Sequence, residues 1–264
     1  MSDQAERDLF YVGYLPLPQS IKRFIVPWLI GNLVLAVGIA AVIAQQHRDP
    51  GDGVWQTGEA VTLEGWLEIE PYPILFVEDQ AYILVEQGKL GVQDRLSGRT
   101  ADVYMATGYL IEREGRRVLE LDGADANALI EIDKVYAIAE VPGDAPNIDP
   151  KQTEPEDLGT HTLRGEIVDP KCYLGVMQPG DGKTHKACAT LCIKGGIPPM
   201  LVVRDDKGNT AAYLLTDADG KAFPESHHEY IADPIEITGQ ILQDGDLLIL
   251  RADLDSIRRL GSGD

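Results

Sequence analysis

All three cysteines of the 264-residue chain lie within one short segment, which runs from Lys171 to Met200. The same segment contains one of the five histidines. The four residues are Cys172, His185, Cys188 and Cys192. Thiolates and imidazole are the ligands that zinc and copper(I) prefer in proteins. The spacing therefore predicts a metal or cofactor site in this segment, with zinc and copper preferred over haem.

The local sequence predicts a short helix that positions three of these ligands. THKACATLCIKGG begins with a threonine that can cap a helix and ends with a glycine pair that can stop it. On this helix, His185, Cys188 and Cys192 would share one face. Cys172 would lie at the end of the preceding strand. Two methionines flank the segment and are further candidate ligands for copper, namely Met177 and Met200.

Two other chemistries are open to the same residues. In an oxidising compartment, Cys172 could form a disulfide with Cys188 or Cys192, which would clamp the helix to the fold and leave one thiol unpaired. Alternatively, Cys188 and Cys192 could form a redox-active pair. Their C-x3-C spacing differs, however, from the C-x2-C of thiol oxidoreductases.

A second set of candidate ligands occurs in ESHHEY, residues 225–230. Its members His227, His228 and Tyr230 could bind a metal or haem, or could simply be exposed. The sequence has no nucleophile elbow, phosphate-binding loop or HExxH motif, so an enzyme is not indicated.

A membrane anchor is predicted near the N-terminus. The 21 residues from Phe24 to Ala44 include no charged side chain, and a run of this length can cross a bilayer as a helix. Lys22 and Arg23 precede this run and Arg48 follows it, so the positive-inside rule places the N-terminus in the cytoplasm. We therefore predict a cytoplasmic tail (1–23), a transmembrane helix (24–44) that begins shortly before Pro27, and a linker (45–60). The rest of the chain would be periplasmic, attached to a bacterial inner membrane by this single pass.

The remainder is predicted to be mainly β. Short runs of β-branched and aromatic residues alternate with Gly, Pro and Asp turns in two regions, 61–140 and 161–260, which a linker rich in proline and acidic residues (141–160) separates. We expect each region to form a small barrel or sandwich of OB-like type, the second with a short inserted helix in 171–200.

The two β regions are predicted to be copies of one module. HTLRGEIVD (161–169) repeats VTLEGWLEI (61–69), with Gly165 at the position of Gly65, and Gly239 corresponds to Gly108. The offset is 100 residues at the first pair and 131 at the second, so about 31 residues have been added to the second copy over the cysteine segment. The first copy has Tyr72 at the position of Cys172. The cysteine segment is therefore expected to be a functional site grafted onto a fold that does not require it.

The net charge of −20 excludes a nucleic-acid partner, because such binding depends on basic contacts to phosphate. The partners that we expect are the lipid bilayer and a membrane redox complex or another membrane protein.

VDPKCYLGVM and GKTHKACATLCIKGGIPP, within 168–199, resemble uncharacterised exported bacterial domains that have a VDxxCYL strand, an HKACAxxC segment and a GxP turn. This resemblance covers the second half of the chain and implies an exported domain with a Cys/His centre. The overall plan is loosely similar to the membrane-anchored OB-fold haem chaperone of cytochrome c maturation. In that family the haem-binding His and a Tyr follow the barrel, whereas here His227 and Tyr230 precede the last two strands.

Together these features predict a membrane-anchored extracytoplasmic accessory protein of a respiratory or redox system, which binds a metal or cofactor through its Cys/His segment. A non-catalytic structural or interaction subunit with a disulfide is the first alternative. A thiol-disulfide redox protein is the second.

Overall fold

The computed structural model describes residues 18–46, 53–100, 102–132, 154–175, 177, 179–205 and 207–261. The chain forms two compact units, Met1–Asp49 and Pro50–Asp264. Most of the predicted cytoplasmic tail, the middle of the first linker and most of the second linker lie outside the described residues.

The first unit contains helix α1, Gln19–Gln46, whose 28 residues span about 42 Å at 1.5 Å per residue. Within the described part of the chain, α1 is the one helix that is long and apolar enough to cross a membrane. Its polar Asn32 side chain donates to Trp28 O within the helix (2.8 Å). The sequence had suggested that Pro27 lies in the first turn of the helix. Because α1 begins before the uncharged run, Pro27 lies further inside it.

The second unit begins with module 1, a five-stranded barrel with two added strands. Antiparallel pairing joins neighbouring strands, except that β4 and β6 are parallel. The long strand β5 pairs with β2 through its first half and with β6 through its second half, which closes the circuit β2-β3-β4-β6-β5. The strands are β1 (Val54–Trp55), β2 (Val61–Glu68), β3 (Ile74–Val77), β4 (Gln80–Val85), β5 (Asp102–Arg113), β6 (Arg116–Leu121) and β7 (Leu129–Glu131), with a short helix α2 (Gln93–Leu96) between β4 and β5.

Module 2 repeats this topology. Its strands close a barrel in the order β8-β9-β10-β12-β11, and β10 and β12 form its parallel pair. The two barrels confirm the predicted fold class of repeated OB-like modules. The strands are β8 (Glu156–Val168), β9 (Met200–Arg204), β10 (Thr210–Asp217), β11 (Pro234–Asp244) and β12 (Leu247–Arg259).

The glycines that identify the repeat occupy positions where two strands come too close for a side chain. A Cβ at any of the four would collide with a backbone carbonyl of the neighbouring strand, so the curvature of each barrel depends on them. The glycines and the residues with the opposing carbonyls are Gly65 with Phe76, Gly165 with Val202, Gly108 with Glu120 and Gly239 with Arg251.

The two barrels pack through equivalent strands. One face of β3 and β4 and the matching face of β9 and β10 are apolar, and together they form a shared core between the modules. The members from these four strands are Ile74, Phe76, Ala81, Ile83, Val85, Met200, Val202, Ala212 and Leu214. Each module also has its own interior core.

The hairpins of the modules also contact each other. Asp246, in the β11–β12 turn, accepts from Ala81 N (2.8 Å) and from Arg117 Nη1 (2.6 Å) of module 1. The equivalent β5–β6 turn carries Glu114, which accepts from the Thr210 hydroxyl of module 2. These reciprocal contacts resemble those of a two-fold symmetric dimer built within one chain.

The strand register locates the added residues. Glu68 pairs with Ile74 in module 1, and Val168 pairs with Met200 in module 2, so this connection is longer by 26 residues in the second copy. The other five of the 31 lie in the turn between β9 and β10. The inserted connection contains two helices, α3 (Pro170–Leu174) and α4 (Gly182–Lys194).

Candidate metal centre

Helix α3 positions Cys172 immediately after β8. Pro170 occupies the first turn of α3, where its missing N–H costs no hydrogen bond. Asp169 caps this helix: its Oδ1 accepts from Cys172 N (2.9 Å). Asp169 is fully buried, so the cap is protected from water and holds the start of α3 firmly.

Helix α4 carries the other three predicted ligands. Its N-cap is Asp181, whereas the sequence had suggested Thr184. The helix ends at Lys194, and Gly195 is its C-cap. Gly196 has a φ of 97°, a left-handed conformation in which glycine turns the chain away from the helix. The buried face includes His185 and Cys192, and Cys188 is half-buried at the edge of that face. The predicted helix is therefore present, with a different N-cap.

The side chains converge in two overlapping groups. In the His185 group, the potential ligand atoms of Cys172, His185 and Cys188 all lie within 4.8 Å of one another. In the Asp169 group, the same is true of Asp169, Cys172 and Cys192. Cys172 belongs to both, and all three cysteines are free thiols. The structure thus brings all four predicted ligands together and adds a carboxylate.

Asp169 also contacts the predicted imidazole ligand. His185 Nε2 lies 3.2 Å from Asp169 Oδ2, and both side chains are buried. A histidine that binds a metal through one ring nitrogen commonly donates its other N–H to a carboxylate, which fixes the tautomer and the ring orientation. This contact is consistent with His185 donating from Nε2 to Asp169 and presenting Nδ1 as a ligand.

Cys172 and Cys192 affect each other's thiol pKa. A hydrogen bond from Cys172 lowers the pKa of the Cys192 thiol, and the positive charge of Lys89 lowers it further, against the effect of burial. The same hydrogen bond, burial and the nearby Asp169 charge raise the pKa of Cys172. Lys89 Nζ also donates to Cys188 Sγ (2.8 Å), and this bond raises the pKa of the lysine. Of the Cys172 and Cys192 thiols, Cys192 is therefore the one whose environment favours the thiolate, the form that binds metals.

Module 1 holds the insertion in place through the segment between β4 and α2. The buried Lys171 ammonium donates to Glu86 O and Gly88 O (2.8 Å each) and forms an ion pair with Glu120. At the other end of the insertion, Gly91 N donates to Gly195 O (2.8 Å). The segment that carries Lys89 is therefore anchored at both sides of the cysteine cluster.

The insertion also contributes to packing between the barrels, a role that the comparison of the two copies did not predict. Its side chains Tyr173, Leu174, Cys192 and Ile197 are members of the shared core. The comparison of the two copies concerned one barrel at a time, whereas this role arises where the barrels meet. Tyr72 of module 1 crosses this boundary: its hydroxyl donates to Leu215 O (3.0 Å) and accepts from Phe223 N (2.7 Å).

The remaining candidate ligands lie outside both groups. Met177 is 45% exposed after α3, and Met200 is buried in the shared core at the start of β9. His227, His228 and Tyr230 lie in a 3-10 helix, Glu225–Tyr230. The His227 ring stacks on Tyr230 with ring centroids 6.2 Å apart, and the His228 ring stacks on Phe223 with centroids 6.0 Å apart. His228 also lines a cavity of about 450 Å³ whose lining includes none of the four predicted ligands in the cysteine segment. Both histidines thus make ring contacts away from the cysteine cluster.

Two residues of the site were not found from the sequence. Asp169 precedes a proline at a strand end, a pattern typical of a helix cap, so its capping role could have been predicted but its contact with His185 could not. Lys89 belongs to the other module, and no local spacing connects it with Cys188.

No protein-family model matches this chain, and no curated protein or solved structure is significantly similar to it. The function is therefore inferred from the site itself.

Proposed function

We propose that this protein binds a thiophilic metal ion through Cys172, His185 and Cys188, as a membrane-anchored accessory protein of a redox system. The observation that carries the metal site is the convergence of two thiols and an imidazole within 4.8 Å, in an insertion that only one of the two barrels contains. Two thiolates and a neutral imidazole match the ligand preference of zinc and copper(I).

The surroundings of the cluster suit a bound cation and its thiolate ligands. Lys89 Nζ donates to Cys188 Sγ (2.8 Å), and a positive charge beside a cysteine sulfur favours its thiolate. The Asp169 contact fixes the orientation of His185, so the imidazole does not have to be ordered when the metal binds.

The accessory role and the location rest on α1 and on the charges beside it. Lys22 and Arg23 lie on one side of the apolar run and Arg48 on the other, which favours an extracytoplasmic location for both modules. In this arrangement the metal site would be presented outside the cytoplasm to a membrane redox complex.

A thiol redox role is the second candidate, and the proximity of the Cys172 and Cys192 sulfur atoms, which lie within 4.8 Å of each other, favours it. The redox pair would then be Cys172 and Cys192, whereas the sequence suggested Cys188 and Cys192. A structural disulfide would use the same pair.

The test is a parallel count of metal and free thiols on the full chain, purified in detergent under anaerobic conditions. We expect stoichiometric zinc or copper and three reduced thiols, of which Cys172 and Cys188 become more reactive once a chelator removes the metal. His185→Ala and Cys188→Ser should each lower the metal content, whereas His161→Ala, an exposed histidine on β8, should not. A metal-free protein with one reactive thiol would instead establish the disulfide.

A further inference from the structure

Cys172 is shared by two sets of possible ligand atoms. The His185 group supplies an imidazole and two thiols, and the Asp169 group supplies a carboxylate and two thiols, with Cys172 in common. Cys172 therefore lies within 4.8 Å of the possible ligand atoms of every other member of both groups. A thiolate sulfur has enough lone pairs to bind two metal ions at once.

With one ion in the His185 group, the buried carboxylate of the cluster has no cation bound directly to it. A divalent ion in the His185 group would be neutralised by the thiolates of Cys172 and Cys188. The Asp169 carboxylate, which is 0% exposed, would then remain buried with hydrogen bonds but without a full countercharge. A buried charge is costly unless it is paired or binds a metal.

We infer that the site holds two metal ions bridged by the Cys172 thiolate, with Asp169 and Cys192 as ligands of the second ion. This inference rests on the proposed metal-binding function and extends it. Three thiolates and one carboxylate balance the charge of two divalent cations, which leaves no unpaired charge in the buried part of the cluster. Because a carboxylate oxygen suits zinc better than copper(I), the second ion is expected to be zinc.

The structure supplies a conservative variant for the test. Asp169→Asn can still accept from Cys172 N as a helix cap and from His185, because asparagine caps helices nearly as well as aspartate. It removes the negative charge that a second cation needs. Asp181→Asn is the matched control, since Asp181 is the N-cap of α4 and belongs to neither group.

The experiment is a titration of the metal-free, reduced full chain in detergent with Zn(II), in competition with a chromophoric chelator. We expect two equivalents for the wild type and for Asp181→Asn, and one for Asp169→Asn and Cys192→Ala. Cys172→Ser should weaken both binding steps. Thermal unfolding of each metal-free variant establishes that it is folded.

Co(II) provides the second readout, because a thiolate bridge couples the spins of two ions. The first equivalent should give an electron paramagnetic resonance signal, and the second should diminish it in the wild type. One equivalent in the wild type, two in Asp169→Asn, or a Co(II) signal that simply doubles would overturn the two-ion site while leaving the proposed function intact. Absence of any binding would refute both.

Discussion

Lys89 Nζ donates to Cys188 Sγ across 2.8 Å, although the two residues belong to different modules. The bond joins the segment after β4 to α4, so module 1 contributes a positive charge to ligands that are all in module 2. The candidate metal site therefore lies at the boundary between the two barrels.

We predict that Lys89→Met lowers the affinity for the metal by about tenfold or more, as is usual when a group that supports a ligand is removed. The methionine keeps most of the apolar stem of lysine but cannot donate to Cys188. Competition titration with Zn(II) measures the change. Lys183→Met, at an exposed lysine at the start of α4, is the control and should leave the affinity unchanged. Equal affinities of the wild type and Lys89→Met would show that the bond has no role in binding.

The close approach of Gly195 to module 1 gives a second prediction. A Cβ at this position would collide with Lys89 O, so Gly195→Ala must push the two segments apart. We expect the free energy of unfolding to fall by about 1–3 kcal/mol, as for overpacked sites, and the metal affinity to fall with it because Lys89 is displaced. Gly58→Ala, where the added methyl meets open space, should change neither quantity in urea unfolding or metal titration. A destabilised Gly195→Ala with normal affinity would separate docking from metal binding.

Lys171 stabilises the insertion through a buried ion pair. Its ammonium is bound to Glu120 and to two carbonyl oxygens, and replacement by methionine would leave all three without this donor. We predict a loss of about 3–5 kcal/mol in the free energy of unfolding for Lys171→Met, measured by urea unfolding. Adding Glu120→Leu should recover part of the loss, since the unpaired carboxylate is then absent. If the double variant is no more stable than the single one, the carboxylate is not the source of the cost.

Much of the fold could be predicted from the sequence because it depends on local patterns. The uncharged run predicted α1, and the glycines at 65, 108, 165 and 239 identified the repeat because each is fixed by close strand contact. The ligands were visible because cysteines are rare in this chain. Their supporting residues were not, because Lys89 meets Cys188 only through the packing of two barrels. That packing depends on the shared core, for which the sequence has no periodic signal that joins one module to the other.

The last prediction concerns pH and the attachment of α4 to its own barrel. Asp233 accepts from Lys186 Nζ (2.9 Å) and from Arg259 Nε (2.8 Å), so it connects α4 to β12. Partial burial raises the pKa of the Asp233 carboxyl, but the hydrogen bonds from Arg259 and Lys186 lower it more, and the net pKa is below the ordinary value.

A carboxyl with a lowered pKa in the folded protein stabilises the fold above its unfolded pKa of about 3.9, and this contribution is lost as the pH falls through the folded value. Asp233→Asn should therefore lower the free energy of unfolding by about 1 kcal/mol near neutral pH. The difference should shrink as the pH falls below about 3.9, and the wild type and the variant should converge once the pH is below the lowered pKa of the folded carboxyl, where it is protonated in both states. Urea unfolding at several pH values measures the difference, with Asp219→Asn as the exposed control. A difference that stays constant down to low pH would show that the charge of Asp233 is not responsible.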